Sequence, residues 1–208
     1  LCLAMIASRI LEPGSKLATV RSFENSTLAS ELGIEGADED ELYSAMDWLL
    51  ERQPVVEAAL AKRHLSEGGL VLYDLTSVYL EGSKCELARR GYSRDGKRGL
   101  PQIEFGLLTD REGRPIAVDV FAGNMADPST VAAQVDKLKN RFGIADVVLV
   151  GDRGMLTSAR IEALKQVGGM GWISALRSTQ IEALVNSGDL QLGIFDERNL
   201  AEISSPKF

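Results

Sequence analysis

Cysteine, histidine and aromatic residues are scarce in this 208-residue chain, which holds two cysteines, one histidine and 6% Phe, Trp and Tyr. Cys2 and Cys85 cannot build a disulfide framework, and neither has partners at zinc-ligand spacing, so a stapled secreted scaffold and a structural zinc module both fall away. The reading is a chain made for a reducing, cytoplasmic setting. No apolar run approaches the ~18–20 residues of a membrane span. The apolar start, Leu1 to Ile10, lacks the basic flank and cleavage site of a signal peptide. A positive excess is missing too: 23 Lys and Arg stand against 30 Asp and Glu, a net charge of −7, which argues against coating nucleic acid by bulk electrostatics. No internal repeat and no low-complexity tract is present. What remains is ordinary globular composition, 45% hydrophobic and 25% charged, with length for one domain and something smaller.

The charge is unevenly placed. Residues 1–68 carry 6 bases and 12 acids, whereas residues 69–208 carry 17 and 18. One stretch runs against the acidic trend: Lys84, Arg89, Arg90, Arg94, Lys97 and Arg98 face only Glu86 and Asp95 between positions 84 and 98. Such a stretch suits phosphate contact, and equally suits a solvated loop.

Residues 1–68 read as a small all-helical region. Asp38 with Glu41 forms a capping-box variant, Leu42, Met46, Leu49 and Leu50 follow at helical spacing, and Pro54 opens a further segment reaching His64. His64 itself reads as a surface or capping residue. Ser66-Glu67-Gly68-Gly69 is a turn-like break and the expected boundary. Beyond it lie a buried strand over 70–76, a Gly- and charge-rich excursion over 82–101, and two antiparallel strands, 103–108 and 116–121, joined through Asp110-Arg111-Glu112-Gly113-Arg114-Pro115. Asp127-Pro128 starts a helix with Val131, Val135, Leu138 and Phe142 on one face. Val147 to Val150 form a fourth strand, Thr157 caps another helix, and Trp172 to Leu176 form a fifth strand. Residues 179–208 read as an extension, with one helix near Ile181–Ser187. The predicted organisation is therefore 1–68 helical, 69–178 α/β, and 179–208 the start of an insertion or C-terminal extension.

Two acids stand out. Asp74 interrupts an apolar strand, and Asp152 follows another by one glycine. A carboxylate on a buried strand loses several kcal/mol of solvation, by rough estimate, unless a cation or hydrogen-bond donors compensate. A divalent-metal site uses such groups: Mg²⁺ accepts carboxylate oxygens, keeps several waters and bridges to phosphate. Two ions roughly 3.5–4 Å apart suit in-line phosphoryl displacement. Taken singly, each aspartate reads equally as a turn or cap residue, as do Asn124 and Asp127, and spacing alone takes the matter no further.

The surrounding residues do. Leu72-Tyr73-Asp74-Leu75-Thr76-Ser77 resembles the first-aspartate strand of bacterial insertion-sequence transposases of the DDE type. Gly91-Tyr92-Ser93-Arg94-Asp95-Gly96-Lys97-Arg98-Gly99-Leu100-Pro101-Gln102 is similar to that family's Gly-Tyr-Ser-basic loop. Asp110 to Pro115, with Gly123-Asn124-Met125-Ala126-Asp127, matches the hairpin and turn that follow, and Val150-Gly151-Asp152-Arg153-Gly154-Met155 the second-aspartate strand. The blocks fall in family order over roughly 70–176.

The resemblance implies a ribonuclease-H-like mixed five-stranded sheet flanked by helices, with strands one and four side by side. It implies metal-dependent cleavage of double-stranded DNA at transposon ends and strand transfer into target DNA. Asp74 and Asp152 would be the catalytic residues holding Mg²⁺ (or Mn²⁺); Arg94, Lys97, Arg98 and Arg153 would contact DNA phosphates; the full-length protein would be a homo-oligomer, with no membrane role. The family's third carboxylate, a Glu in a Tyr-Arg-Glu-Lys-like setting, has no counterpart: Glu182 and Glu197 lie in different company. With Leu at position 1 and the last residue at Phe208, the expectation is a piece of a longer transposase that does not cleave DNA alone. Two other readings are a truncated relic that folds and at most binds DNA, and a phosphatase with Asp74 as nucleophile in a strand-end loop. The second is disfavoured because Thr76 stands where a proton-donating acid is wanted.

Overall fold

The structure, a computed structural model, describes residues 1–92, 96, 97, 99–125, 127–176 and 178–188, without the side chains of Asp127, Pro128 and Ser158. The chain divides into two compact units, Leu1–Ala59 and Leu60–Phe208.

The first unit is built from α1 (Cys2–Leu11), α2 (Lys16–Phe23), α3 (Leu28–Leu32) and the front of α4 (Glu39–His64). Ser15 caps α2 by accepting the Ala18 N–H at 3.2 Å. The capping box of α4 is reciprocal: Glu41 N–H donates to Asp38 Oδ1 at 2.9 Å, and Asp38 N–H donates to Glu41 Oε2 at 3.1 Å. Ala4, Phe23, Ala29 and Leu42 form this unit's core, with Leu1, Met5, Val20, Leu28, Leu32 and Ile34 around them. Pro54 does not open a new helix as the sequence reading has it; α4 runs through it without a break. Proline removes one N–H donor, orphaning the Leu50 carbonyl, but both residues are exposed and the flanks, Glu51-Arg52-Gln53 and Glu57-Ala58-Ala59-Leu60-Ala61, are strong helix formers.

The second unit carries a five-stranded mixed sheet of order β3-β2-β1-β4-β5. Its strands are β1 (Gly69–Tyr79), β2 (Gln102–Asp110), β3 (Pro115–Ala122), β4 (Val147–Val150) and β5 (Met170–Ile173). β2 is antiparallel to β1 and β3, and β4 is parallel to β1 and β5. Helices α5 (Asp127–Asp136), prolonged by a π-helical turn Lys137–Arg141, and α6 (Ser158–Gln166) connect β3 to β4 and β4 to β5, and α7 (Ser178–Ser187) follows. This is the expected ribonuclease-H-like arrangement with a helical region ahead of it. β1 reaches three residues past the sequence reading, to Tyr79, and β5 begins at Met170 because that residue pairs with Val147.

Alternation along the strands sends one set of side chains inward. Val71, Tyr73 and Leu75 of β1, Leu108, Ala117 and Leu149 pack against Val131, Val135 and Leu138 of the α5 segment, Leu164 of α6, and Met155 and Leu156. The predicted face of α5 is thus the buried one. On the opposite sheet face Leu72, Leu107, Val118, Val120 and Ile173 are exposed.

Register is fixed from below. Glu67 accepts the N–H groups of Ala145 at 3.0 Å and Asp146 at 2.7 Å, and Gly68 N–H donates to the Asp146 carbonyl at 2.7 Å, tying the entry of β1 to the entry of β4. The Asp146 and Ala145 donors hold the Glu67 carboxyl below its ordinary value. At the β2–β3 turn burial pushes Asp110 up, but hydrogen bonds from the Arg114 backbone and guanidinium, and from the Glu112 N–H, outweigh it and hold the carboxyl low.

Two outcomes follow. Leu138→Ala deletes a fully buried side chain and should destabilise the protein by about 2–5 kcal/mol in chemical denaturation. Glu67 and Asp110 have depressed folded pKa values, so the unfolded chain takes up their protons first. Their stabilisation is complete above the ordinary carboxylate pKa, about 4, and is lost as pH falls through the lower folded values. Thermal unfolding followed from about pH 5 downward should show a falling midpoint in the wild type and a shallower fall in Glu67→Gln.

Candidate active site

β1 places Asp74 on the exposed sheet face, between Leu72 and Thr76, because Tyr73 and Leu75 take the inward positions. Asp74 lies well inside the strand, as the sequence reading has it, and its carboxylate has no hydrogen bond or ion pair among the described residues. This removes the strand-end loop on which the phosphatase reading depends.

Asp152 follows β4 through Gly151, whose N–H still donates to the Ile173 carbonyl of β5 at 3.1 Å. A Cβ at Gly151 would sit 3.2 Å from Leu156 Cγ, so glycine lets Leu156 close under the turn. Asp152 Oδ1 accepts the N–H groups of Gly154 at 3.0 Å and Met155 at 2.7 Å, and its carbonyl accepts from Leu156 at 3.1 Å. Met155 and Leu156 are buried, which holds the turn against the core. Oδ1 is engaged and Oδ2 takes no hydrogen bond among the described residues.

The parallel ladder relates the two acids. Leu72 pairs with Val150, and Asp74 and Asp152 each stand two residues further on, both exposed. In a parallel pair, partner residues share a face and the period is two. The donor set is hard carboxylate oxygen on an open surface, which suits a divalent cation. Among the described residues no group of three or more His, Cys, Asp or Glu converges to hold a metal. Glu182 is exposed on α7, and Glu197 lies outside the described residues.

Of the basic residues singled out, Arg153 is exposed next to Asp152. Lys97 is exposed with its Nζ 5.0 Å from the centre of the Tyr79 ring at the end of β1. Arg94 and Arg98 lie outside the described residues.

Sequence reasoning passed over three polar clusters. Gln102, 1% exposed, sends its amide nitrogen toward Glu104 Oε1 at 2.8 Å and the carbonyls of Tyr92 and Gly123 at 2.9 Å, while Ser77 Oγ donates to Glu104 at 2.9 Å. Lys137 Nζ and Gln134 Nε2 both donate to Asp119 Oδ2 at 2.7 Å. His64 is half-buried, not a surface residue, with Nδ1 4.0 Å from Asp110 Oδ2, because the last turn of α4 abuts the β2–β3 turn. The legible signal was a polar residue at an inward strand position, as in Gln102-Ile103-Glu104. Two cavities, of about 200 and 290 Å³, are lined by residues including His64, Asp110 and Arg114 and by Val135, Lys139 and Arg160 respectively; neither is lined by Asp74 or Asp152.

Among curated proteins, the phenylalanine–tRNA ligase alpha subunit of Thermoplasma acidophilum is 27% identical over 212 residues, covering 91% of this chain. The chain spans 41% of that protein's length. Among solved structures, a piggyBac transposase synaptic complex with hairpin DNA is similar at a TM-score of 0.37 and 13% identity, over 56% of this chain and 25% of that one. A Mos1 transposase paired-end complex with left transposon end is similar at 0.34 and 12%, over 83% and 62%. The sequence model of the family described as Transposase DDE domain matches residues 66–200, from the foot of β1 past the end of α7. Matched over well more than half its length, sheet and both aspartates included, the chain belongs to the transposase DDE domain family.

Proposed function

We propose that this chain supplies two of the metal-holding carboxylates of a DNA transposase, Asp74 and Asp152, and that its substrate is double-stranded DNA at transposon ends and target sites. The single observation that carries the reading is the β1–β4 register, in which both acids stand two residues beyond the Leu72–Val150 pair. Asp74 brings a free carboxylate, and Asp152 brings Oδ2 while its Oδ1 is held by the Gly154 and Met155 N–H groups. A bound Mg²⁺ (or Mn²⁺) supplies activation of the attacking oxygen and stabilisation of the leaving one. The protein's part is to hold the two carboxylates at one level and to hold the DNA backbone still. Arg153, beside Asp152, and Lys97, together with Arg94 and Arg98, are the residues assigned to phosphate contact. Action on DNA in the cytoplasm and homo-oligomer formation in the full-length protein belong to the same reading.

Transposition also requires a third carboxylate, and the chain alone is therefore proposed not to cleave DNA. Titration of the wild type with Mn²⁺, beside Asp74→Asn and Asp152→Asn, tests the shared site. Binding in the wild type that falls at least about tenfold in both variants is the expected result, each substitution removing one charged ligand. Binding unchanged in either variant, or no binding in the wild type, would overturn the assignment, the latter favouring a relic. A plasmid-nicking assay with Mg²⁺ should show no activity for the chain by itself.

A further inference from the structure

Tyr92 is 85% exposed on the basic stretch that joins β1 to β2. A tyrosine ring left in water forgoes the burial that makes aromatic residues valuable in cores, yet the backbone beneath this one is fixed. Its carbonyl accepts from Gln102 Nε2 at 2.9 Å, and Gln102 is itself buried between Glu104 and the Gly123 carbonyl. Gly91 approaches Gly123 so closely that a Cβ there would lie 1.9 Å from the Gly123 oxygen. The Arg89 N–H and carbonyl are likewise bonded to the Gln102 backbone, at 3.0 and 2.9 Å. The main chain on the N-terminal side of Tyr92 is therefore anchored to the ends of β2 and β3, while its ring stands in solvent.

The surroundings are cationic. Lys84, Arg89, Arg90 and Lys97 are exposed on the same stretch, with Glu86 the acid among the described residues between them. Lys97 lies over the ring of Tyr79, at the end of β1. Exposed cations that draw a polyanion, on one stretch with an exposed aromatic ring, are the composition that binds nucleic acid by stacking. Inside a duplex each base already has stacked neighbours; only an unpaired base offers a face to a protein ring. Anchoring the backbone lowers the ordering cost of the contact.

We infer that Tyr92 is a stacking platform for an unpaired DNA base, so that the DNA this protein engages carries a locally opened nucleotide, a conclusion resting on the DNA-binding reading above. The test uses the whole chain at low salt with two probes: a fully paired duplex, and the same duplex bearing one unpaired 2-aminopurine whose fluorescence reports stacking. Wild type should bind both and quench the unpaired probe. Tyr92→Ala should lose about 5- to 150-fold in affinity for the unpaired probe, together with the quench, and change less than about twofold on the paired one. Tyr92→Phe, which keeps the ring, should behave as wild type. A wild type that binds both probes without quenching, or a Tyr92→Ala that loses both equally or neither, overturns the inference and leaves DNA binding standing. A wild type that binds neither probe overturns both. Tyr92 is exposed, so circular dichroism should be unchanged in the variants.

Discussion

Parallel pairing of β1 with β4 is the constraint on which the rest of the sheet unit depends. The strands are separated in sequence by a hairpin and a crossover helix, so the pairing must be fixed by contacts and not by a tight turn. Four residue pairs, Gly69–Val147 to Leu72–Val150, make the ladder. A slip of one residue would move Val147 and Leu149 out of the core and turn the following segment over. Glu67 opposes that slip by gripping the two N–H groups just ahead of β4, and Leu149 with Val71 opposes it from the inward face. The level at which β4 pairs with β1 is therefore set by residues at the foot of the strands, remote from Asp74 and Asp152.

The same sheet separates packing from chemistry by face. Val131 and Val135 of α5 and Leu164 of α6 share one core cluster with Val71, Tyr73, Leu75 and Leu149, whereas Asp74 and its neighbours Leu72 and Thr76 are exposed. Two acids on the packed side are matched locally: Asp119 receives Lys137 and Gln134, and Glu104 receives Gln102 and Ser77. Such clusters are costly unless satisfied and exact about geometry when they are. Here they join α5 to β3 and the 80–101 stretch to β2.

What was legible in the sequence is what depends on local pattern. Val147-Val148-Leu149-Val150 can hardly be anything but a buried strand, Asp38 and Glu41 state their own capping box, and the Asp110–Pro115 turn declares the hairpin. The apolar run that marks β1 ends at Thr76, and pairing with β2 carries the strand on to Tyr79. Pro54 was read as a start because proline is usual there, and the continuity of α4 depends on flanks that a single-residue rule ignores. The anchoring of Tyr92 by Gln102, and the burial of His64 beside Asp110, depend on residues brought together only by the folded sheet, and no spacing rule announces them. For the candidate site, the sequence named Asp74 as an acid interrupting an apolar strand, and its outward position is a product of alternation along a strand longer than the pattern alone defines.

The openness of the two aspartates bears on the class of substrate. A small molecule is held by a concave site that covers most of its surface, whereas the cavities lined by His64 and Asp110, and by Val135 and Arg160, include neither acid. A polymer brings its own extended surface and needs an open approach, charge along its path and a rigid base to be held against. The exposed bases Lys84, Arg89, Arg90, Lys97 and Arg153 would supply such charge on a chain whose net charge is −7. The five-stranded sheet, fixed by the Glu67 clamp and sharing a core with α5 and α6, supplies the rigid base. On the proposed reading, a divalent cation held by Asp74 and Asp152 would offset the like charge of the two carboxylates.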